Sequence, residues 1–464
     1  MSGADARAPL ITAVPVPGST LRTLAARKAA SYPVFFDSAA EGPLARYSLL
    51  GGLPRAALYR DADGSLAGEG MTPGAGGFLD NLERWFHDES MIQAAGARKP
   101  LPFIGGWFVY LGYEVAAEIE SSLKLPRADT PYTAFALRVE NLVVHEHATR
   151  KVYAVSQHGD ARAHAELIAD LEEAARHPVA AAGAPPVLAS LEEEPAELFL
   201  ARVRAAHEHI AAGDIYQANL SRRWRLTLRD PASSAQVYAA LRRANPAPFA
   251  ASVQVHDFSL FSSSPERLMA IAGSDISTRP IAGTRAREGS AEQDRLDTAE
   301  LVAHPKERAE HIMLIDLERN DLGRVCEAGS VTVDEYMVTE SYAHVHHIVS
   351  NVRGRLRADR SPVDALRALF PGGTITGCPK VRCMQIIAAL EREGRGAYTG
   401  SLGWLGSDGD ADFNILIRTL TLRGSVIELR AGAGIVADSI PERELEETRA
   451  KARGLLRAFR LESP

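Results

Sequence analysis

Residues 103–112, FIGGWFVYLG, are the stretch that most directly predicts the fold. Apolar residues flank two glycines, which predicts a buried, glycine-punctuated pair of strands. Two more runs, residues 133–145 (TAFALRVENLVVH) and 151–156 (KVYAVS), also predict strands because β-branched and aromatic residues recur in them. Residues 160–176 are rich in Ala, Glu and Leu and predict a helix.

The sequence changes character at residues 178–195, which are rich in Ala and Pro and lack a clear period. We expect a linker there, between an N-terminal lobe (1–177) and a catalytic domain (196–460). Residues 196–212 predict a helix, and strand and helix patterns alternate after it. This mixture predicts an α+β fold with two lobes and large, mainly antiparallel sheets flanked by helices.

The composition is that of an ordinary globular protein. Of the 464 residues, 46% are hydrophobic and 24% charged, and the net charge of −7 argues against nucleic acid as a partner. No apolar stretch is long enough to cross a bilayer, and the N-terminus lacks the pattern of a secretory signal. The cysteines, Cys326, Cys378 and Cys383, form neither a disulfide framework nor a zinc pattern. We therefore expect a cytoplasmic protein.

Residues 304–325, HPKERAEHIMLIDLERNDLGRV, predict a helix that carries two carboxylates on an apolar stripe. Glu307 and Glu310 share one face with Leu314 and Leu317, because steps of three and four residues stay on one side of a helix. Unpaired buried carboxylates are costly, so a bound cation is one explanation. The alternative is a solvated helix end.

A second carboxylate pair, Glu444 and Glu447, lies on a predicted helix near the C-terminus. Ser439 followed by Glu442 matches a capping box. Glu447 and Lys451 could simply form an exposed pair four residues apart. Alternatively, two carboxylate-bearing helices could share one Mg²⁺, which takes one or two protein carboxylates and completes its shell with water and substrate oxygens.

Other candidate groups are weaker signals. Glycine-rich turns at 370–374 and 431–434 could bind an anion or could be plain turns. Arg418 stands in an apolar strand pattern, where it needs an anionic partner. His344, His346 and His347 lack the spacing of a zinc site. No nucleotide-binding glycine motif is present.

Nine segments coincide, in order, with the motifs of one family. They are GDIYQANLSRR (213–223), SSPERL (263–268), TRPIAGTR (278–285), HPKERAEHIMLIDLERNDLGRV (304–325), ESYAHVHHIVS (340–350), FPGGTITGCPKVRCMQII (370–387), AYTGSLGWL (397–405), FNILIRTL (413–420) and AGAGIVADSIPERELEETRAKA (431–452). Together they resemble the chorismate-utilising enzymes, which include anthranilate synthase component I, aminodeoxychorismate synthase component I, isochorismate synthase and salicylate synthase. The resemblance favours the metal interpretation of the glutamates.

The resemblance implies a magnesium site. Glu310 and Glu447 would bind Mg²⁺ directly, with Glu307 and Glu444 as water-mediated partners. The metal would bind the ring carboxylate of chorismate and act as a Lewis acid.

The resemblance also implies a substrate pocket around a general acid. Glu266 would protonate the departing C4 hydroxyl, since hydroxide is a poor leaving group. The other implied residues contact or orient chorismate: Tyr398, Arg418 and the backbone of Gly434 at the enolpyruvyl carboxylate, Lys451 at a carboxylate, His347 beside the ring, and Gly283, Thr284 and Thr374 around the substrate.

Gln217 bears on the nucleophile. Family members that add water carry a lysine base at this position. A neutral amide cannot deprotonate water, whereas ammonia needs no such base, so amination is favoured over isochorismate formation. No cysteine lies in a G-x-C-x-G pattern, so we expect ammonia to come from a separate glutaminase subunit, or as free ammonia at high pH.

Two aminating activities remain open. Ala282 replaces the lysine nucleophile known in aminodeoxychorismate synthases, which favours anthranilate synthase and elimination of pyruvate. Residues 105–116 (GGWFVYLGYEVA) and the GDIYQANLS segment instead resemble aminodeoxychorismate synthase. We expect the latter, an enzyme of 4-aminobenzoate and folate biosynthesis. Isochorismate synthase and a non-catalytic scaffold for a glutaminase are less favoured.

The N-terminal segment YPVFFDSA (32–39) resembles the tryptophan-binding segment of relatives. A regulatory site, a structural tryptophan site or plain core would each fit this segment. We favour a structural role.

Overall fold

The structure, a computed structural model, describes residues 8–40, 42, 44–90, 100–179, 184–286, 305–341 and 345–461. This part of the chain contains ten α-helices: α1 (Thr20–Arg27), α2 (Phe78–Glu89), α3 (Ala116–Ile119), α4 (Ala161–Arg176), α5 (Ala196–Ala211), α6 (Ser234–Ala244), α7 (Pro305–Gly323), α8 (Pro362–Leu369), α9 (Lys380–Glu391) and α10 (Pro441–Leu456). Two short 3₁₀ turns occupy Tyr113–Val115 and Gly373–Ile375. No helix of the described residues is both long and apolar enough to cross a membrane.

The described strands number twenty-four. They are β1 (Leu10–Val14), β2 (Val34–Asp37), β3 (Tyr47–Gly51), β4 (Ala56–Asp61), β5 (Leu66–Glu69), β6 (Gly106–Leu111), β7 (Tyr132–Val139), β8 (Asn141–Glu146), β9 (Lys151–Ser156), β10 (Val187–Glu193), β11 (Gln217–Leu228), β12 (Phe249–Val255), β13 (Phe258–Ser264), β14 (Arg267–Ala272), β15 (Asp275–Thr278), β16 (Ile281–Ala286), β17 (Thr332–Ser341), β18 (Val345–Arg355), β19 (Gly377–Cys378), β20 (Ser401–Gly406), β21 (Ala411–Ile415), β22 (Thr419–Arg423), β23 (Val426–Ile435) and β24 (Arg460–Leu461).

These strands form two large sheets. The first has the order β1-β9-β8-β3-β2-β12-β13-β22-β23-β11-β10-β24, and β19 also pairs with β11. The second has the order β16-β18-β15-β14-β21-β20-β6-β7-β4-β5, and β17 pairs with β18. Among the described strands only β10 and β24 pair in parallel. The predicted α+β fold with large, mainly antiparallel sheets is confirmed.

The sheets lie face to face, with helices on their outer surfaces. Strand β6 shows the arrangement, because its six residues are all buried and its side chains alternate between two cores. Phe108 and Tyr110 join the core between the sheets. Trp107, Val109 and Leu111 join a core that includes residues of α2 and α8. A third core packs α1, α4, α6 and α10 on the first sheet.

Two local predictions are wrong: the strand pair at 103–112 and the capping box at Ser439. Residues 103–112 contain one strand, β6 (Gly106–Leu111), rather than a pair, because β6 pairs with β7, the next strand in the chain, and with the distant β20. The predicted linker contains β10, where Leu188 is buried and pairs with β11. Ser439 does not cap α10; Ile440 holds the N-cap position, and the Ser439 hydroxyl accepts a hydrogen bond from the Val436 N–H at 3.1 Å.

Both sheets contain strands from both sides of the predicted linker. β2 pairs with β12 in the first sheet, and β6 pairs with β20 in the second. The two parts of the chain therefore share their cores, although the predicted boundaries 1–177 and 196–460 themselves stay a prediction.

Candidate active site

The candidate site lies where β11 and β23 pair beside helices α7 and α10. Asn219 of β11 is opposite Gly434 of β23, and Ser221 is opposite Gly432. The glycines matter because they leave room at the sheet surface for side chains from other elements. The predicted turn at 431–434 is thus the end of a strand.

Gln217, Glu310 and Gly434 meet at one end of this strand pair. The Gln217 Nε2 donates a hydrogen bond of 3.3 Å to Glu310 Oε1. A Cβ atom on Gly434 would lie 2.6 Å from Gln217 Nε2 and 3.8 Å from Glu310 Oε1. A side chain at position 434 would therefore displace the amide, so the close approach requires glycine. Gln217 Oε1 is buried and has no hydrogen-bond partner among the described residues.

Glu447 reaches the same strand through Lys451, one turn further along α10. The Lys451 Nζ lies 2.8 Å from Glu447 Oε1 and donates to the Gly432 carbonyl oxygen at 2.9 Å. About half of each side chain is exposed. The predicted i,i+4 ion pair is therefore present, and it stands at the edge of the cluster rather than on an outer helix face.

Carboxylate oxygens are the ligand type that Mg²⁺ prefers, supplemented by water. Glu310 and Glu447 come from different helices: Glu310 lies at Gly434, and Glu447 lies beside Lys451, which contacts Gly432. Glu444 is half-buried on α10, whereas the side chain of Glu307 lies outside the described residues. Within the described residues, no group of three or more His, Cys, Asp or Glu side chains is arranged to hold a metal.

Glu266 is the titratable group best suited to carry a proton. It follows β13, is 5% exposed, and burial raises its pKa to about 7. The Thr374 hydroxyl, the Ile281 N–H and the charges of Arg418 and Lys451 act in the opposite direction and keep the pKa from rising further. A carboxyl with this pKa can donate a proton at neutral pH.

Arg418 lies between β21 and β22 rather than inside a strand. Its backbone φ of 51° is left-handed, and its carbonyl accepts a 3.0 Å hydrogen bond from the Ser263 N–H. The guanidinium is half-buried; burial lowers its pKa and the field of Glu266 raises it. The predicted need for an anionic partner is met in part by Glu266, and a substrate carboxylate could meet the rest.

Tyr398 is buried against Asn219 and Gly432. Its hydroxyl lies 3.4 Å from Asn219 Oδ1, and a Cβ on Gly432 would lie 2.4 Å from that hydroxyl. Beneath the ring, the fully buried Arg395 stacks at 5.5 Å and pairs with Glu391 through two hydrogen bonds of 2.7 and 2.9 Å. Arg395 also donates to the Asn219 carbonyl at 2.6 Å, so a buried ion pair holds both residues.

The remaining predicted residues, apart from Thr374, lie on the second sheet. His347 is buried on β18 and is paired through the backbone with Thr284 of β16. Gly283 takes a left-handed φ of 70°, and Thr374 is half-buried in the turn that reaches Glu266. The side chains of Thr284 and Ala282 lie outside the described residues. His344 also lies outside them.

Two residues of the site, Asn219 and Arg395, were not predicted from the sequence. Asn219 follows Gln217 by two residues, so the alternation of a strand could have placed both on one face. Arg395 has one local signal, Glu391 four residues earlier, but its other partners Asn219 and Tyr113 are distant in the sequence.

The N-terminal segment 32–39 borders a separate cavity of about 810 Å³. Phe36, Asp37 and Ser38 line it together with Phe249 and Trp404. Asp37 is already engaged, because its Oδ2 accepts hydrogen bonds from Arg242 at 2.5 Å and from the Tyr238 hydroxyl at 3.2 Å.

Comparison with known proteins establishes the class. A family model described as chorismate binding enzyme matches residues 60–457, so the chain belongs to this family. It is a chorismate-utilising enzyme of the anthranilate and aminodeoxychorismate synthase type, and the resemblance seen in the sequence is confirmed.

Individual relatives divide between the two activities. An anthranilate synthase component I-like protein of Synechocystis sp. is 41% identical over 424 residues, covering 90% of this chain and 83% of that protein. Aminodeoxychorismate synthase component 1 of Bacillus subtilis is 38% identical over 446 residues, which are 92% of each chain. The crystal structure of anthranilate synthase component I from Streptococcus pneumoniae superposes with a TM-score of 0.78 at 30% identity, covering 89% of this chain and 93% of that one.

Proposed function

We propose that this chain is the chorismate-aminating component of an aminodeoxychorismate synthase, which uses Mg²⁺ and ammonia to make 4-amino-4-deoxychorismate. Amination is supported by Gln217, a neutral amide at the position where water-adding relatives carry a lysine base, and its 3.3 Å hydrogen bond to Glu310 lies within the candidate site. The balanced reaction joins ammonia to the ring and releases the C4 hydroxyl as water.

In this proposal some residues bind the metal and others donate the proton. Mg²⁺ bound by Glu310 and Glu447, with Glu307 and Glu444 nearby, would supply Lewis-acid polarisation of the ring carboxylate. Glu266 donates its proton to the C4 oxygen, so that water rather than hydroxide departs.

Cations and hydroxyls hold the enolpyruvyl end of the substrate. Arg418 and Lys451 offer positive charge to the carboxylates, and the backbone of Gly434 is a further contact in this proposal. Asn219 and Arg395 contact Tyr398 and hold its ring in place, so that its hydroxyl can contact the substrate. His347, Gly283, Thr284 and Thr374 line the ring in this proposal.

Retention of the enolpyruvyl group is supported by two observations. The Bacillus subtilis aminodeoxychorismate synthase component 1 matches along 92% of both chains. Asn219, part of the GDIYQANLS segment that resembles this class, lies at the Tyr398 hydroxyl where the enolpyruvyl carboxylate is expected.

Anthranilate synthase is the second candidate. Ala282 favours it, because a methyl group cannot serve as the covalent nucleophile, and several relatives carry this name. Mass analysis of the product from chorismate, Mg²⁺ and ammonia decides between the two. We expect 4-amino-4-deoxychorismate; anthranilate as the main product would overturn the first choice, and a product without nitrogen would remove both.

The proposal includes a separate glutaminase partner and a cytoplasmic location. Both cysteines nearest the site are free, Cys383 is buried, and burial raises the pKa of both thiols, which does not suit a glutaminase nucleophile. Free thiols also suit a reducing compartment.

We also propose that the cavity beside segment 32–39 takes tryptophan in a structural role. Its volume and its aromatic lining, Phe36, Phe249 and Trp404, support this. Added tryptophan should then raise the melting temperature without inhibiting ammonia-dependent turnover. Inhibition would indicate regulation instead, and no thermal shift would contradict binding.

A further inference from the structure

Glu114 is a buried carboxylate that the proposed mechanism does not use. It lies in the 3₁₀ turn Tyr113–Val115, which follows β6, and is 8% exposed. Its Oε2 has no hydrogen-bond partner among the described residues. A carboxylate in such a place costs free energy, so its other contacts should explain why it is there.

The second carboxylate oxygen of Glu114 binds the backbone of a turn in the candidate site. Glu114 Oε1 accepts hydrogen bonds from the Arg395 N–H at 2.7 Å and the Gly396 N–H at 3.2 Å. The Tyr113 N–H donates to the Gly396 carbonyl oxygen at 2.9 Å, and the Tyr398 N–H donates to the Arg395 carbonyl oxygen at 3.1 Å. Glu114 therefore holds the first two residues of the turn that carries Tyr398.

The side chain of Arg395 extends from the same turn. Its guanidinium lies 5.5 Å from the centre of the Tyr398 ring and donates to the Asn219 carbonyl oxygen at 2.6 Å. Glu391 pairs with Arg395 at 2.7 Å and balances its charge, so Arg395 does not need Glu114 as a counter-ion. What Glu114 adds is an acceptor for two buried backbone N–H groups.

We propose that Glu114 is a positioning residue: its carboxylate holds the 395–398 turn so that the Tyr398 hydroxyl lies at Asn219, where the substrate carboxylate is expected. The inference rests on the proposed contact of Tyr398 with the enolpyruvyl carboxylate of chorismate. Glu114 precedes the predicted linker, so a residue of the predicted N-terminal lobe takes part in how the predicted catalytic domain binds its substrate.

The test places Glu114→Gln, Glu114→Met and Glu114→Asp in the full chain, each with Tyr398 and with Tyr398→Phe. Gln keeps an oxygen that can accept the two hydrogen bonds, Met keeps only the length and volume, and Asp keeps the charge but is one methylene shorter. Consumption of chorismate at saturating Mg²⁺ and a fixed concentration of ammonia gives kcat and KM separately.

Glu114→Met should lower kcat/KM about 10- to 100-fold, because groups misplaced by about 1 Å lose rate on this scale. The loss should appear mainly in KM, since a carboxylate contact holds the substrate before as well as during the reaction. Once Tyr398→Phe has removed the hydroxyl, the Met change should cost no more than about a further twofold. Glu114→Gln should keep wild-type kinetics, and Glu114→Asp should show the same coupling to Tyr398 even if the Met variant does not fold.

Glu118→Met is the matched control. Glu118 Oε1 accepts the Leu79 N–H at 2.6 Å and so holds the start of α2, a helix that carries none of the proposed site residues. The loss of this acceptor should lower the melting temperature and leave kcat and KM unchanged.

Equal losses with and without the Tyr398 hydroxyl would overturn the proposal, because Glu114 would then not act through Tyr398. A Gln variant as impaired as the Met variant would also overturn it. Product analysis separates this failure from that of the proposed function: coupling in an enzyme whose product is anthranilate, or lacks nitrogen, refutes the function and keeps the inference. Wild-type KM in Tyr398→Phe removes the assignment of Tyr398, and the inference with it.

Discussion

At the scale of single residues, Glu447 is the most direct test of the proposed metal site. Glu447→Gln keeps the size of the side chain but removes the charge that would bind Mg²⁺. Because even indirect contacts to a bound metal are typically worth about 10- to 100-fold, we expect ammonia-dependent turnover at saturating Mg²⁺ to fall at least about 100-fold. Steady-state kinetics with chorismate and ammonium salt measures this.

Glu442→Gln is the control for that experiment. Glu442 is exposed on the same helix, and its Oε1 lies 3.8 Å from the Arg204 guanidinium of α5. Its loss should change turnover by no more than about twofold, as surface ion pairs are weak. Unchanged turnover in Glu447→Gln would remove the magnesium assignment.

Replacement of Glu266 should increase the stability of the protein and abolish its activity. Its folded pKa of about 7 lies above its ordinary value of 4.5. As pH rises through this window, the unfolded chain releases the proton and the folded chain keeps it, so wild type loses roughly 3 kcal/mol of unfolding free energy. Glu266→Gln has no carboxyl to titrate. Its unfolding free energy relative to wild type should therefore rise between pH 4.5 and 7, although the variant should be inactive.

Urea denaturation of both proteins at pH 4.5 and pH 8 checks the stability prediction. The difference in unfolding free energy should change by roughly 3 kcal/mol in favour of Glu266→Gln at the higher pH. A constant difference would mean that Glu266 is not held protonated by burial.

At the scale of elements, the glycines of β23 make the site possible. Gly434→Ala would place a methyl group 2.6 Å from Gln217 Nε2 and separate that amide from Glu310. We expect at least about a tenfold loss of kcat, because a displacement of 1 Å can cost that much or more. The melting temperature should change little, as the displaced atom ends a movable side chain.

Gly454→Ala provides the matching control. Gly454 lies in α10 with open space around it, so Ala should leave kcat unchanged and stabilise the helix by up to about 1 kcal/mol. Equal turnover in Gly434→Ala and wild type would contradict the close packing described for this strand.

The elements with strong periodicity could be predicted from the sequence. Helices α4 and α5 begin and end within one or two residues of the predicted limits. The glycines of β6 misled, because Gly106 marks a backbone approach, where a Cβ would lie 2.1 Å from the Leu405 carbonyl oxygen. A close contact between distant strands leaves no local signal, so the sequence instead predicts that the glycines separate a pair of strands.

The site needed more than local pattern. The spacing of Glu307 and Glu310 fits a solvated helix end as well as a metal site, and only the order of the motifs separated the two. The contact of Gln217 with Glu310 joins residues 93 positions apart.

At the scale of the whole molecule, a separate glutaminase partner implies that purification should change which nitrogen source the enzyme can use. The crude enzyme should use glutamine, because a glutaminase accompanies it. The purified chain should lose glutamine-dependent activity and keep ammonia-dependent activity, since the chorismate site lies within this chain. Activity assays with each nitrogen source before and after purification measure this, and full use of glutamine by the isolated chain would refute it.

The sharing of both sheets between the two ends of the chain has a consequence for synthesis. Gln157 donates a hydrogen bond of 2.6 Å to the Ser407 hydroxyl, 250 residues later. At about 5–20 residues per second, a ribosome needs roughly 10–50 s to make that stretch. Throughout that time β6, apolar on both faces, is without its neighbour β20. Translation speed and early shielding of this strand should therefore set the yield of soluble enzyme.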